Sequence, residues 1–377
     1  MRKRIVIVNQ SSGHLMIDIV NAYAGEYDEV VLISGNTPKS ERKLNDKVII
    51  KNIIKYKKQT AFKRIFTWSI AFLQILFKLI FFYRKYEILY VTNPPVSYLC
   101  SFFVKNPFSV IVFDTYPDTL KNIGLKQGNW IYDLWAKCNV KIFNKAKNIF
   151  TISDGMAEQL LKYVNRERIK TIPLWSASER FKPIEKKDNA FAREYNLCDK
   201  FVVMYSGNMG RTHNVEMLVE IAKKMKYDLF VKFLFIGDGD KKENIIKFAN
   251  DNNLDNCMFL DWQPYDVLPY SLATADIGVI TLNDESALTS VPSKTFNLIA
   301  VGAPLLCIAS QDSEISKIIK KFNNGFVCDS DNIDEAVMFI EKLAANELLK
   351  KEMSRNSLRA SCEFTYRNAN KYLESHS

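Results

Sequence analysis

Apolar residues along the chain fall into short runs rich in Val and Ile, separated by longer stretches of helical character. The first runs are 4–9 (RIVIVN), 29–34 (EVVLIS), 87–92 (EILYVT), 109–113 (SVIVF) and 148–152 (NIFTI). Short β-branched runs alternating with helical stretches predict βαβ units around a parallel sheet. The pattern restarts after Trp175 to Pro183, with strands expected at 201–205, 231–236, 257–260, 277–281, 304–308 and 326–328. The expected fold is therefore α/β, with two Rossmann-like doubly wound domains. The first covers 1–180, the second 181–355, and 356–377 holds a C-terminal helix packing back on the first. A length of 377 residues agrees with two cores rather than one.

One segment departs from this pattern. Residues 65–83 (IFTWSIAFLQILFKLIFFY) hold 15 apolar residues in 19, within a basic hydrophobic helix expected near 63–85. That length approaches bilayer thickness, but Thr67, Gln74, Lys78 and Lys85 form one narrow polar stripe on a helix. A span would carry Lys78 through hydrocarbon at a cost of about 3 kcal/mol. Three placements stay open: a span, a buried core helix, and a helix lying in the membrane surface. The third avoids the cost, and the flanking Lys51, Lys55, Lys57, Lys58, Lys63, Arg64, Arg84 and Lys85 suit anionic headgroups.

Charge is distributed unevenly. Residues 1–180 carry 28 Lys and Arg against 14 Asp and Glu, and the remainder carries 24 against 28. A basic front half implies a polyanionic partner. Nucleic acid is the less fitting choice, because the charge clusters beside an apolar helix rather than around stacking aromatics. The seven cysteines have neither C-x-x-C spacing nor neighbouring His, so no disulfide framework, metal site or cofactor is expected. Met1-Arg2-Lys3-Arg4 leads into only four apolar residues, too short for a secretory signal. A cytoplasmic protein, peripheral on the inner face of the cell membrane, is the expectation.

Four turns carry candidate chemistry. Asn9-Gln10-Ser11-Ser12-Gly13-His14 follows the opening strand, where small residues let main-chain N–H groups approach an anion; an ordinary βα turn has the same composition. Ser206-Gly207-Asn208-Met209-Gly210-Arg211-Thr212-His213-Asn214 follows the strand that opens the second half. Its glycines allow close approach, and Arg211 supplies a forked cation suited to phosphate oxygens. Phe235-Ile236-Gly237-Asp238-Gly239-Asp240 again ends a strand. Finally, Ser293 and Lys294 open a helix that Gly302 ends before Pro304. A lysine in a first helical turn opposes the helix dipole, a local conflict that an anion nearby would explain.

In this order the four features resemble the GT-B glycosyltransferases, specifically the family 4 group that includes bacterial cell-surface polysaccharide enzymes. Asp114-Thr115-Tyr116-Pro117-Asp118 with Gly124, Thr151-Ile152-Ser153-Asp154-Gly155-Met156, and Ile172-Pro173-Leu174-Trp175 with Phe181-Lys182-Pro183 extend the resemblance over nearly the whole chain. It implies two domains facing across a cleft, a nucleotide-diphosphate-sugar donor (a UDP-sugar) on the second, and an acceptor on the basic first. It also implies retention of anomeric configuration, with a lipid-linked or other glycan as acceptor. Carried over residue by residue, Gly207, Asn208, Gly210 and Arg211 would hold the diphosphate and Gly237 and Gly239 would border the nucleotide. Trp262 and Gln263 would lie near the base, and Gly13 and Ser293 would complete the donor site. The family's glutamate pair falls on Thr289 and Asn297. Neither is acidic, although Asn297 can still hydrogen-bond a ribose hydroxyl and Asp284 or Glu285 could substitute.

Breaking a glycosyl phosphate bond builds negative charge on the leaving diphosphate, so fixed cations there lower the barrier. Arg211 and Lys294 are assigned that role. Asp114 is either an acceptor-orienting residue or base, or a turn aspartate. Two other functions stay open. A non-hydrolysing nucleotide-sugar epimerase would convert donor without acceptor, and a non-catalytic donor-binding subunit would bind without turnover.

Overall fold

The computed structural model describes residues 2–37, 41–57, 59–123, 125–210, 213–283, 287–288 and 290–373. It divides into two units: 1–173 with 366–377, and 174–365. The sequence pattern places the boundary at 180; in the structure, 174–180 belong to the second unit.

The first unit holds seven parallel strands: β1 (Arg4–Val8), β2 (Glu29–Ser34), β3 (Val48–Asn52), β4 (Glu87–Val91), β5 (Phe108–Val112), β6 (Ile149–Thr151) and β7 (Ile169–Thr171). Their order is β3-β2-β1-β4-β5-β6-β7, so successive connections turn one way from β1 and the other way from β4. β1, β4 and β5 are buried almost throughout, which is why the sequence shows them as unbroken apolar runs. Helix α1 (His14–Glu26) follows β1 and buries Met16, Ile17, Ile19, Val20 and Tyr23. The chain's last described segment, the 3-10 turn Tyr366–Tyr372, packs with this unit. Tyr372 lies against Phe150 with ring centroids 5.0 Å apart and accepts a hydrogen bond from the Tyr23 hydroxyl at its carbonyl, 3.2 Å.

Helix α2 (Ala61–Phe82) links β3 to β4 and is capped by Thr60, whose hydroxyl accepts from the Lys63 N–H. Only Thr67, Ala71, Ile75 and Leu79 are buried, one residue per turn. Of the polar stripe, Thr67 is buried and Gln74 is exposed. Thr67 tolerates burial because its hydroxyl donates to the Lys63 carbonyl at 2.9 Å, and Gln74 Oε1 accepts the Ile54 N–H at 2.8 Å. The opposite face carries Phe62, Ile65, Phe66, Leu73 and Phe77, all exposed. By length and composition α2 could cross a membrane, but one seam of it is buried, and it packs on the 3-10 turn Ser97–Phe102.

The second unit has six parallel strands: β8 (Phe201–Ser206), β9 (Val231–Ile236), β10 (Cys257–Leu260), β11 (Ile277–Thr281), β12 (Leu305–Ile308) and β13 (Gly325–Cys328). Their order is β10-β9-β8-β11-β12-β13, with the reversal of direction between β8 and β11. Phe201, Val203 and Tyr205 of β8 pack with Phe233 and Phe235 of β9, Leu218 and Ile221 of the helix Val215–Lys224, and Phe339 and Ile340 of the helix Ile333–Ala345. At the amino ends of β8 and β11, buried Asp276 accepts the Val202 N–H at 2.7 Å and pairs with Lys186 and Lys350.

Candidate functional site

In an open parallel sheet, the crevice for a ligand opens at the carboxyl ends of the two strands where the order reverses, because their loops leave in opposite directions. In the second unit those strands are β8 and β11, and the glycine turn beginning at Gly207 leaves β8 there. The Gly207 N–H donates to the Ile236 carbonyl at 2.9 Å and Met209 N–H to the Asp238 carbonyl at 2.8 Å, which ties this turn to the one after β9. Glycine is required sterically. A Cβ on Gly237 would stand 2.1 Å from the Gly207 carbonyl oxygen, at a φ of +134° that disfavours any side chain, and one on Gly239 would stand 2.6 Å from the Met209 carbonyl carbon. The Asn208 amide lies between the turns, with Nδ2 2.6 Å from a Cβ built on Gly210 and Oδ1 2.8 Å from one built on Gly239.

Lys294 reaches this place from the helix Lys294–Ala300, which follows the β11 loop. Its Nζ stands 3.1 Å from a Cβ built on Gly207 and 3.7 Å from the centroid of the Tyr205 ring. That contact is a cation–π interaction, which offsets only part of an ammonium's desolvation. The nitrogen is buried and has no hydrogen-bond partner among the described residues, although the residue as a whole is only half-buried. Burial accordingly lowers its pKa to about 7. His213 lies beside it with Nδ1 3.0 Å from the Thr281 carbonyl, and burial, then the charge of Lys294, holds its pKa below the ordinary imidazole range. With Nδ1–H donating to that carbonyl, His213 is a neutral ring at neutral pH. Neither Tyr205 nor His213 was singled out from the sequence: Tyr205 reads as one more apolar residue of a core strand, and His213 as part of a turn.

The other expected donor residues distribute as follows. Arg211, Asp284, Glu285 and Thr289 lie outside the described residues, as does Gly124. Ser293 is exposed and directly precedes the Lys294 helix. Asn297 turns its Oδ1 to the Ala177 N–H at 3.1 Å and the Ser176 hydroxyl at 3.2 Å, holding the start of the second unit. Trp262 is exposed, and Gln263 donates to the Asp261 carbonyl at 3.0 Å within the loop after β10. Gly302, with φ +79°, closes the Lys294 helix as its sequence position predicts.

Gly13 and Asp114 belong to the first unit. Gly13 caps α1 in extended conformation, and a Cβ there would meet nothing within 4 Å, so no steric demand explains it. Asp114 follows β5, with its N–H 3.3 Å from the Thr92 hydroxyl. Its side chain keeps an open surface, while desolvation by the surrounding protein pushes the carboxyl above the ordinary carboxylate range. Beside it runs an aromatic wall that sequence reasoning missed. Tyr56 stacks on Trp68 at 5.9 Å, Trp68 meets Tyr116 edge-on at 6.1 Å, and Tyr116 stacks on Trp135 at 5.9 Å. Asp118, from the same stretch, is structural. It accepts from the hydroxyls of Tyr132 at 2.6 Å and Tyr163 at 2.7 Å and pairs with Lys162; these contacts outweigh burial and hold its pKa below the ordinary range.

With this geometry established, comparison with known proteins identifies the second unit. The model of the family "Glycosyl transferases group 1" matches residues 187–359. Those residues form a group 1 glycosyltransferase domain. The match includes the glycine turns and Lys294. Two curated relatives align: Escherichia coli (strain K12) WcaI, named as a colanic acid biosynthesis glycosyl transferase, at 30% identity over 184 residues, and Pseudomonas aeruginosa WbjE, named as a glycosyltransferase, at 26% over 243. The alignments cover 48% and 64% of this chain and 45% and 60% of those relatives. Anabaena Alr3699/HepE, solved in complex with UDP and glucose, superimposes with a TM-score of 0.75 at 13% identity, covering 100% of this chain and 99% of that one. At that identity the likeness concerns fold: the group 1 domain and the unit before it share the two-domain architecture of GT-B glycosyltransferases.

Proposed function

We propose that the chain is a retaining glycosyltransferase that moves a sugar from a UDP-sugar to a lipid-linked glycan acceptor in cell-surface polysaccharide biosynthesis. It would work in the cytoplasm, peripheral on the inner face of the cell membrane. The observation that carries the reading is the buried ammonium of Lys294, which has no partner among the described residues, beside Gly207 at the reversal point of the second sheet. A buried lysine without an acceptor is unfavourable by itself, and a diphosphate oxygen in that crevice supplies the missing partner. The group 1 match over the same residues supports glycosyl transfer, and the HepE complex, which holds UDP, supports a uridine donor.

The charge that develops on the leaving diphosphate would be met by Lys294 and, from the sequence, Arg211, with main-chain N–H groups of the glycine turns adding fixed dipoles. The acceptor is assigned to the basic first unit. There Asp114 would orient the attacking hydroxyl or take its proton, and the aromatic wall suits the apolar face of a sugar ring. The name of WcaI supports a polysaccharide product, and the exposed apolar face of α2 supports an acceptor held at a membrane.

The test is sugar transfer by Lys294→Ala. Loss of one charged transition-state contact is expected to lower turnover by roughly two to three orders of magnitude, with the melting temperature retained. Turnover near wild type in that variant removes the proposed mechanism.

A further inference from the structure

Away from the donor crevice, the first unit has a cavity of about 1030 Å³ that no step of sugar transfer uses. Arg2, Lys3, Arg4, Lys85 and Lys147 line it against two carboxylates, Glu26 and Glu87. Arg4 opens β1, Lys85 and Glu87 sit at the start of β4, and Lys147 precedes β6. The cavity thus lies at the amino ends of the strands, the edge opposite the turns that carry Gly13 and Asp114. Glu87 is already engaged by Lys147 and by the Tyr27 hydroxyl at 2.7 Å. Among the described residues no carboxylate pairs with the side chains of Arg2, Lys3 or Lys85. The guanidinium of Arg4 lies 4.9 Å from the Tyr86 ring centroid, and its buried Nε has no acceptor. Asp28 accepts the Lys3 main-chain N–H at 2.7 Å and Glu29 stands opposite Arg4 in the strand register, so the cations left without a side-chain partner among the described residues are Arg2, Lys3 and Lys85; three such cations around one cavity suit an anion.

What the anion belongs to follows from the neighbouring helix. α2 links β3 to β4, so its carboxyl end stands at the amino edge of the sheet, three residues before Lys85. Phe77, Phe81 and Phe82 are clustered there, with Phe77 and Phe81 rings 4.7 Å apart, and are 55%, 62% and 65% exposed. Residues 53–110 hold nine Lys and Arg against a single acidic residue, Glu87. A soluble phosphate has no use for three exposed phenylalanines beside its site. An amphiphile uses both, with its phosphate among the cations and its chains along the rings.

We propose that this cavity binds the phosphate headgroup of an anionic phospholipid, with the acyl chains lying on the Phe77, Phe81 and Phe82 end of α2. The proposal rests on the reading that α2 docks on a membrane, and adds a specific headgroup site to it. With α2 about 33 Å long, such a site at one end would fix the orientation of the helix on the bilayer.

The test is calorimetric titration of the full chain with dihexanoyl phosphatidylglycerol as monomer, with dihexanoyl phosphatidylcholine and inorganic phosphate as comparisons. Saturable one-to-one binding of the phosphatidylglycerol is expected. Lys3→Glu with Lys85→Glu should weaken it roughly tenfold or more, and Phe81→Ser with Phe82→Ser should weaken it while leaving any phosphate binding unchanged. Reversal of Lys137 and Lys141, outside the cavity, should leave it as in the wild type. No saturable binding, equal binding of phosphatidylcholine, or equal loss in the Lys137/Lys141 variant overturns the site. Inorganic phosphate binding as tightly as the lipid overturns the lipid assignment. Transfer to a water-soluble acceptor, measured on the same variants, should stay at the wild-type rate; its absence from the wild type counts against the transferase reading and not against the headgroup site.

Discussion

Lys294 is costly for folding, and in the proposed donor site it would be useful for chemistry. Its pKa of about 7, against an ordinary lysine value near 10.5, means that between these pH values the unfolded chain holds a proton that the folded chain has released. Stability from this group therefore rises with pH through that window, and below about pH 7 the folded protein bears the full cost of a buried cation. Lys294→Met should accordingly melt at a higher temperature than wild type at pH 6, by on the order of 1–3 kcal/mol of added stability, while losing transfer. Scanning calorimetry at pH 6 and pH 10 checks this, since the gap should narrow at the higher pH; a lower melting temperature at pH 6 would show that the ammonium is already satisfied. Nucleotide binding should show the same group from the other side. A diphosphate favours the charged form, so UDP binding at pH 8 should take up a proton and affinity should fall as pH rises above about 7. Titrations in buffers of different ionisation enthalpy measure that uptake directly, and its absence would place the diphosphate elsewhere. The sequence revealed this residue through a conflict, a cation in a first helical turn. It did not reveal Tyr205 as its aromatic floor, because a tyrosine in FVVMYS has the pattern of core. Nor did it show that Asn297 spends its Oδ1 on the 176–177 main chain, a contact between residues 120 apart.

At the scale of elements, burial decided what could be read. Eleven strands announced themselves as short apolar runs, and all of them except the edge strands β10 and β13 are buried almost throughout. β3 and β7 did not. β3 is an edge strand with four exposed residues, Ile49 to Asn52, and its Lys51 reads from sequence as part of a basic flank. β7, the other edge, has only three residues. Helix α2 was legible in length, but its facing was not: periodicity groups Thr67 with Gln74 and Lys78, while local carbonyls let Thr67 turn inward. The turns after β8 and β9 were legible as glycine motifs, and the structure adds why they act as a pair. Gly237→Ala would set a methyl group against the Gly207 carbonyl, so the two turns must separate. The variant is expected to lose roughly 1–3 kcal/mol of stability and to bind UDP at least tenfold more weakly, since the Gly207 turn would move from Lys294. Thermal melts and UDP titration check both effects, and unchanged UDP affinity would separate the Gly237 turn from the donor site.

At the scale of the molecule, the last described segment returns to the first unit. Charge asymmetry marked the two halves in the sequence, but the return of 366–372 to the first unit depends on contacts across the whole length of the chain. Tyr372 is fully buried, Ala369 nearly so, and the segment packs on α1, with Arg42 5.2 Å from the centroid of the Tyr366 ring. These residues cover Tyr23 and Phe150, which would otherwise open to water. Burying a large aromatic contributes roughly 1.5–3 kcal/mol, so removal of 366–377 should destabilise the first unit by several kcal/mol. The group 1 domain, residues 187–359, keeps all its strands and the Lys294 crevice in such a truncation. The truncated protein is therefore expected to melt in two separated steps, with the lower one unaffected by UDP and the upper one raised by it. A single transition that UDP raises as a whole would mean that the two units unfold together and that the returning segment contributes little to the first.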